Sequence, residues 1–246
     1  MTDRPADDTK IHIRSDVTVE LVKHSASDSD VLWAARVSTA GEQSLDELQK
    51  DPERSKGLIN YLMRDRHGSP FEHNSMTFFI SAPIFVFREF MRHRVGWSYN
   101  EESGRYRELQ PVFYVPDASR KLVQQGRPGK YVFVEGTEDQ QELVTRTMED
   151  SYRQAYEAYQ EMLAAGVARE VARAVLPVGL FSSMYATCNA RSLMHFLGLR
   201  TQHELAKVPS FPQREIEMVG ERMEAEWARL MPLTYAAFNA NGRVAP

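Results

Sequence analysis

The chain has 246 residues, 42% of them hydrophobic, which is enough to bury one substantial core or two small ones and too many for a disordered segment. A formal net charge of −4 argues against a general nucleic-acid coat, and a single cysteine, Cys188, excludes an internal disulfide and a multi-cysteine metal site. No apolar run approaches the roughly 20 residues of a membrane helix, and the polar opening MTDRPADDTK offers no signal segment, so a cytoplasmic protein without a membrane or nucleic-acid partner is expected.

Residues 1–10 read as a flexible tail. DVTVELVKH alternates as a strand, and SDSDVLWAARVST supplies acidic N-cap candidates before an apolar helical stripe. SKGLINYLMRDRHG predicts a helix with Leu58, Tyr61, Leu62 and Met63 inward and Gly68 as its stop. NSMTFFISA reads as a strand. Pro83 suits a first helical position, which predicts a helix over PIFVFREFMRH. PVFYVPD and KYVFVEG are short strands, with QQGRPGK between them as a loop. The longest helix is expected from Asp139 to Ala165, broken by Gly166. A short helix in AREVARAVLP ends at Pro177, and LFSSMYATCNARSLMHFLGLR reads as strand then helix. A last helix is expected from about Pro212 to Met231. With no repeat or linker in sight, the expectation is one α+β domain over residues 11–246, a central mostly antiparallel sheet flanked by long helices.

Three clusters carry chemistry. RHRVGWSYNEESGRY packs three arginines and a histidine around Asn100, Glu101, Glu102 and Ser103. On a helix, Arg88 and Arg92 would share one face and Glu89 and His93 another, with Glu89 orienting the imidazole. A solvated basic helix end explains that charge equally well in isolation, but Phe85, Phe87, Phe90, Met91 and Trp97 want burial, and arginines leaving an apolar helix suit phosphate or carboxylate. NARSLMHFLGLRTQH, read as a helix from Asn189, aligns Arg191, His195, Gly198 and Gln202. It leaves Arg200 on the apolar stripe with Leu193, Phe196 and Leu197, where an unpaired cation is costly. In RHGSPFEHNS, His67 and His73 stand six apart across a turn, poor spacing for zinc, so no metal is expected. Cys188 reads as a buried structural thiol.

RHRVGWSYNEESGRY resembles the signature of flavin-dependent thymidylate synthases, and WAARVS, HGSPFEH, SAPIFVFREFMRHR, AREVARAVLP and NARSLMHFLGLR follow in family order from Trp33 to Arg200. The resemblance implies a homotetramer that uses FAD, NADPH and methylenetetrahydrofolate to turn dUMP into dTMP, with sites shared between chains. FAD would be held by Ser69, Arg92, His93, Arg94, Glu101, Asn189, Arg191 and His195. For dUMP it implies Glu89, Arg92, Glu101, Ser103, Gly104, Arg105, Arg173 and Arg200, with Arg173 from another chain and Arg200 catalytic beside the uracil ring. Eight residues separate Arg94 from Ser103, one more than the family pattern, which predicts a bulge at VGW.

Two other classes compete. A single-stranded RNA binder would use Arg92, Arg94, Arg105 and Arg107 with Trp97, Tyr99 and Tyr106 as stacking platforms, and its affinity would fall steeply with salt. A flavoenzyme that oxidises a nucleotide without methyl transfer would show no dependence on methylenetetrahydrofolate.

Overall fold

The computed structural model describes residues 10–40, 51–127 and 130–246. The expected tail lies almost wholly outside these. Eight strands and eight α-helices alternate through the described residues: β1 (His12–Arg14), β2 (Thr18–Ser25), α1 (Asp28–Ala40), α2 (Pro52–Arg64), β3 (Ser75–Pro83), α3 (Ile84–Phe90), β4 (Trp97–Glu101), β5 (Val112–Tyr114), β6 (Val123–Arg127), β7 (Lys130–Val134), α4 (Glu138–Ala164), α5 (Arg169–Ala172), β8 (Phe181–Cys188), α6 (Ala190–Arg200), α7 (Arg214–Leu230) and α8 (Pro232–Ala240). Short 3-10 turns stand at Ser69–Glu72 and Arg173–Val175. The mixture of helices and strands is the α+β class read from the sequence.

The chain forms two compact units. Among the described residues, one comprises 10–17 with Ser81–Arg88 and Glu101–Ser183; the other comprises Thr18–Ile80, Glu89–Asn100 and Met184–Pro246. The principal sheet has four strands in the order β2-β3-β8-β4; a parallel β1–β5 pair and an antiparallel β6–β7 hairpin form two further sheets.

In the first unit, α4 is the organiser. Thr137 caps it by accepting from the Gln140 N–H, while Gln140 accepts in return from the Thr137 N–H, a capping box. Its stripe of Tyr152, Tyr156 and Tyr159 is buried against Leu109, Phe113, Val115, Ala172 and Leu180, as its helical spacing predicts. Gly166, at φ +84°, breaks the chain into the left-handed region that only glycine enters without strain.

In the second unit, Asn189 caps α6 by accepting the Ser192 N–H at 2.8 Å. The helix then buries Leu193, Met194, Phe196 and Leu197. Helix α7 buries Ile216, Val219, Met223 and Trp227, the face its periodicity predicts.

Several expectations shift. Helix α2 ends at Arg64 rather than at Gly68, because Arg66 takes a left-handed φ of +64°. Within it, Tyr61 is exposed and Ile59 takes the inward place. Strand β3 runs through Pro83, and α3 stops at Phe90, seven residues in all. Residues 124–127 of the expected loop pair instead with β7. The strands β1 and β4 and the helix α8, which opens on Pro232, carry no alternation or stripe strong enough to announce them.

Candidate active site

Because α3 ends at Phe90, Arg92 and His93 leave the helix and enter turns, with the His93 N–H bonded to the Phe90 carbonyl at 2.9 Å and the Arg92 N–H to the Glu89 carbonyl at 3.3 Å. The expected Glu89–His93 pair does not form. Arg200, at the last position of α6, stands between them: a terminal nitrogen donates to the Glu89 carboxylate, and Nε donates to His93 Nε2 at 3.1 Å. The second terminal nitrogen reaches the Glu89 carbonyl at 3.4 Å. The side chain of Arg200 is 21% exposed and that of Glu89 28%, so the pair is partly shielded from water. Arg200 therefore does have the partner its apolar stripe requires, and within the chain that partner is a carboxylate.

His93 is packed edge-on to Phe196, with ring centroids 4.9 Å apart, and Phe196 stacks on Phe90 at 4.6 Å. Burial, the Arg200 guanidinium and then His195 push the His93 pKa down to about 4. The imidazole is neutral, as an acceptor for Arg200 must be. Trp97 and Tyr99 stack at 5.7 Å, and the Tyr99 hydroxyl is shared between the Phe90 and His93 carbonyls at 3.0 and 2.8 Å. This aromatic block fixes the exit of α3.

The additional residue after Arg94 is absorbed in a turn. Gly96 has φ +69°, the Trp97 N–H reaches the Arg94 carbonyl at 3.3 Å, and the Ser192 hydroxyl donates to the Val95 carbonyl at 2.9 Å. A Cβ on Gly96 would lie 2.1 Å from the Ser192 oxygen and 3.2 Å from Asn189 Nδ2. The bulge expected at VGW is a glycine turn pinned to the start of α6. It leaves Arg92 and Arg94 exposed, with no carboxylate paired to either among the described residues.

At the same helix start, Arg191 Nε donates to the Pro246 carbonyl at 2.6 Å and a terminal nitrogen donates to Glu72 at 2.5 Å. A Cβ on Gly68 would sit 2.5 Å from that guanidinium, so only glycine admits the contact. Ser69 is exposed at the next position, and His195 follows one turn along α6, its pKa lowered by burial and then by Arg191 and Arg66. Ser69, Glu89, Arg92, His93, Arg94, Asn189, Arg191, His195 and Arg200 thus all belong to the second unit.

The first unit gathers the others. Glu101 accepts from the Ser182 hydroxyl at 2.7 Å. Burial raises its pKa, with Glu102 adding to the shift and Ser182 and Arg173 opposing it. Ser103 turns the chain: its carbonyl accepts from Tyr106 and Arg107 N–H groups at 3.0 and 3.2 Å, and its hydroxyl from the Arg105 N–H at 3.3 Å. Gly104 is buried, and a Cβ there would meet Leu109 at 2.8 Å and Arg173 Cδ at 3.1 Å. Arg105 is paired with Glu170 at 2.8 Å, with both side chains about half exposed. Glu101, Ser103, Gly104, Arg105 and Arg173 are brought together as a group. Gly68, read only as a helix stop, and Gly96, read only within the bulge, were not singled out as site residues, and neither were Ser182 and Ser192; a glycine beside an arginine motif was the one signal available for the first two.

The donor set in the second unit suits the expected flavin dinucleotide. Two exposed guanidinium groups with no carboxylate paired to them among the described residues favour a pyrophosphate. Cys188 is 2% exposed, and burial pushes its thiol pKa far up, away from nucleophile chemistry.

Residues 20–233 match the family described as thymidylate synthase complementing protein. The chain is 92% identical to the flavin-dependent thymidylate synthase of Streptomyces avermitilis over 246 residues, the whole of both chains. It is 59% identical to that of Tropheryma whipplei over 234 residues, covering 94% of this chain and 96% of the other. Among solved structures, the UMP/dUMP methylase PolB of Streptomyces cacaoi bound with 5-bromo dUMP superposes with a TM-score of 0.90 at 59% identity, over 96% of this chain and all of that one. The same protein bound with 5-bromo UMP gives a TM-score of 0.88 at 58% identity, over 96% and 99%. An arginine-rich turn, a buried lone thiol and a match along nearly the entire chain have one explanation: this chain belongs to the flavin-dependent thymidylate synthase family.

Proposed function

We propose that this enzyme reductively methylates dUMP to dTMP, with FAD as cofactor, methylenetetrahydrofolate as carbon donor and NADPH as reductant. The observation that carries the reading is Arg200, a partly buried cation held by Glu89 and His93 in the unit that also bears the unpaired Arg92 and Arg94. The PolB structures add that a relative of the same fold binds uracil nucleotides brominated at C5, the atom that gains the methyl group.

The chemistry needs uracil made nucleophilic at C5. A thiolate adding at C6 does this in cysteine-dependent synthases, and Cys188 is too deeply buried to act so. Arg200 beside the ring stabilises the negative charge that develops as N3 loses its proton, which polarises the ring toward attack from C5. C5 then bonds the donor methylene carbon as one of that carbon's bonds to a folate nitrogen breaks. C5 gives up its hydrogen as a proton, and the second folate nitrogen leaves with its electron pair. The reduced flavin, when bound, supplies the hydride that completes the methyl group. Arg92, Arg105 and Arg173 suit the nucleotide phosphate as planar forks, with Glu89, Glu101, Ser103 and Gly104 completing the nucleotide contacts. Ser69, His93, Arg94, Glu101, Asn189, Arg191 and His195 join Arg92 around FAD. The assembly is a homotetramer with sites shared between chains, placed in the cytoplasm. Among the described residues no helix is long and apolar enough to cross a membrane.

The test is the visible spectrum of the purified protein, its anaerobic bleaching by NADPH, and dTMP formation when dUMP and methylenetetrahydrofolate are then added. The expected result is a yellow protein whose dTMP yield needs all of these components. Methylation without flavin, or none with every component present, overturns the reading. Running UMP beside dUMP shows whether the ribonucleotide is also accepted.

A further inference from the structure

The geometry points to His93 as a positioning residue for Arg200: its Nε2 accepts the Arg200 Nε–H and, with Glu89 on the terminal nitrogens, fixes the cation assigned to the uracil ring. The inference rests on the role given to Arg200 above and adds the device that holds it.

A guanidinium has five N–H groups. In Arg200 one goes to His93 Nε2, one to the Glu89 carboxylate and one to the Glu89 carbonyl, which leaves one on each terminal nitrogen for a ligand. The long, flexible side chain of an arginine ordinarily loses much rotamer freedom when it is held in one pose. Here that freedom is removed before substrate arrives. The two holders come from the end of α3 and the turn after it, and the rings of Phe196 and Trp97, centroids 4.9 and 6.5 Å from the imidazole, hold His93 itself.

The arrangement constrains the imidazole's proton. An acceptor at Nε2 places the proton on Nδ1; a second proton would set N–H against N–H and charge against charge. The groups that bear on the His93 charge are Arg200 and His195, and both resist protonation. Burial acts in the same direction. Glutamine carries an oxygen acceptor near the place of Nε2, whereas asparagine reaches only to that of Nδ1, and this difference separates positioning from bulk.

The experiment uses the flavin-loaded full chain. Nitrogen-15 NMR of histidine-labelled protein reads the tautomer, with R200A identifying the coupled ring. Single-turnover dTMP formation with pre-reduced enzyme is measured for the parent, H93A, H93N and H93Q, each normalised to bound FAD. In the parent, His93 is expected to stay neutral and Nδ1-protonated from about pH 5.5 to 8. H93A and H93N should lose about 30- to 100-fold in methylation per flavin, the scale of a misplaced catalytic group, and H93Q should recover to within about five-fold of the parent. Three results would each overturn the inference: an Nε2-protonated tautomer, a His93 that titrates at its ordinary pH, or H93A that loses flavin while methylating normally per flavin retained. If the parent makes no dTMP at all, the proposed function fails first, and the NMR result still states whether the His93–Arg200 bond exists.

Discussion

Arg200 ends an otherwise apolar stripe of α6, and its location is tolerable because Glu89 supplies the counter-charge. In the role proposed for Arg200, its interaction strengthens as charge develops on the uracil, which lowers the barrier more than it tightens substrate binding. R200A should therefore lose about 100-fold in turnover, equivalent to about 2.7 kcal/mol, with FAD content and NADPH oxidation largely spared. R200K keeps charge but not the fork and should recover part of the loss. Single-turnover methylation by pre-reduced enzyme checks both, and a near-normal rate in folded R200A would return this arginine to a structural role. Cys188 supplies the complementary control. Its thiol is buried and its ionisation suppressed, so C188S should retain most activity. An inactive C188S protein that is folded and flavin-loaded would indicate thiolate catalysis instead.

The turn 94–97 is the element on which the arginine motif depends. Gly96 combines a positive φ with a side-chain position already filled by Ser192, so G96A meets both strain and a clash. It should cost about 1–3 kcal/mol of stability and weaken FAD retention, read by urea unfolding and by the flavin-to-protein absorbance ratio. N189A removes an N-cap and should cost about 1 kcal/mol by the same unfolding measurement. Much of this architecture was legible. The tyrosine stripe of α4, the break at Gly166 and the cap at Asn189 follow from spacing and local chemistry. The exit of α3 did not. Residues Ile84 to His93 continue a plausible helical pattern, and only the long-range bonds from Tyr99 and the Phe196 stack explain why the helix stops at Phe90. For the same reason the sequence paired Glu89 with His93 by their spacing, whereas Arg200, more than a hundred residues away, takes both. Short strands such as β1 gain their definition from a partner, here β5, and carry little signal of their own.

For the molecule as a whole, the depressed pKa of His93 makes stability depend on pH. The folded protein resists a proton that the unfolded chain accepts below its ordinary 6.5, so stability is present above that pH and falls progressively toward about 4. His195 acts in the same direction, while Glu101, whose pKa is raised, acts in the opposite one. Urea midpoints should drop between these limits, and less in H93Q than in the parent; equal slopes would remove His93 as the source. The proposed sharing of sites between chains also predicts that inactive R173A and R200A chains, unfolded and refolded together, regain part of the activity that each lacks alone; separate refolding is the control, and no regain would count against the sharing. Finally, the solitary, shielded cysteine has a practical side. A cysteine introduced at an exposed position, such as one replacing Val95 or Val132, would be the sole reactive thiol of each subunit. A maleimide dye could then report motion of a chosen segment without first stripping the natural thiol from the protein.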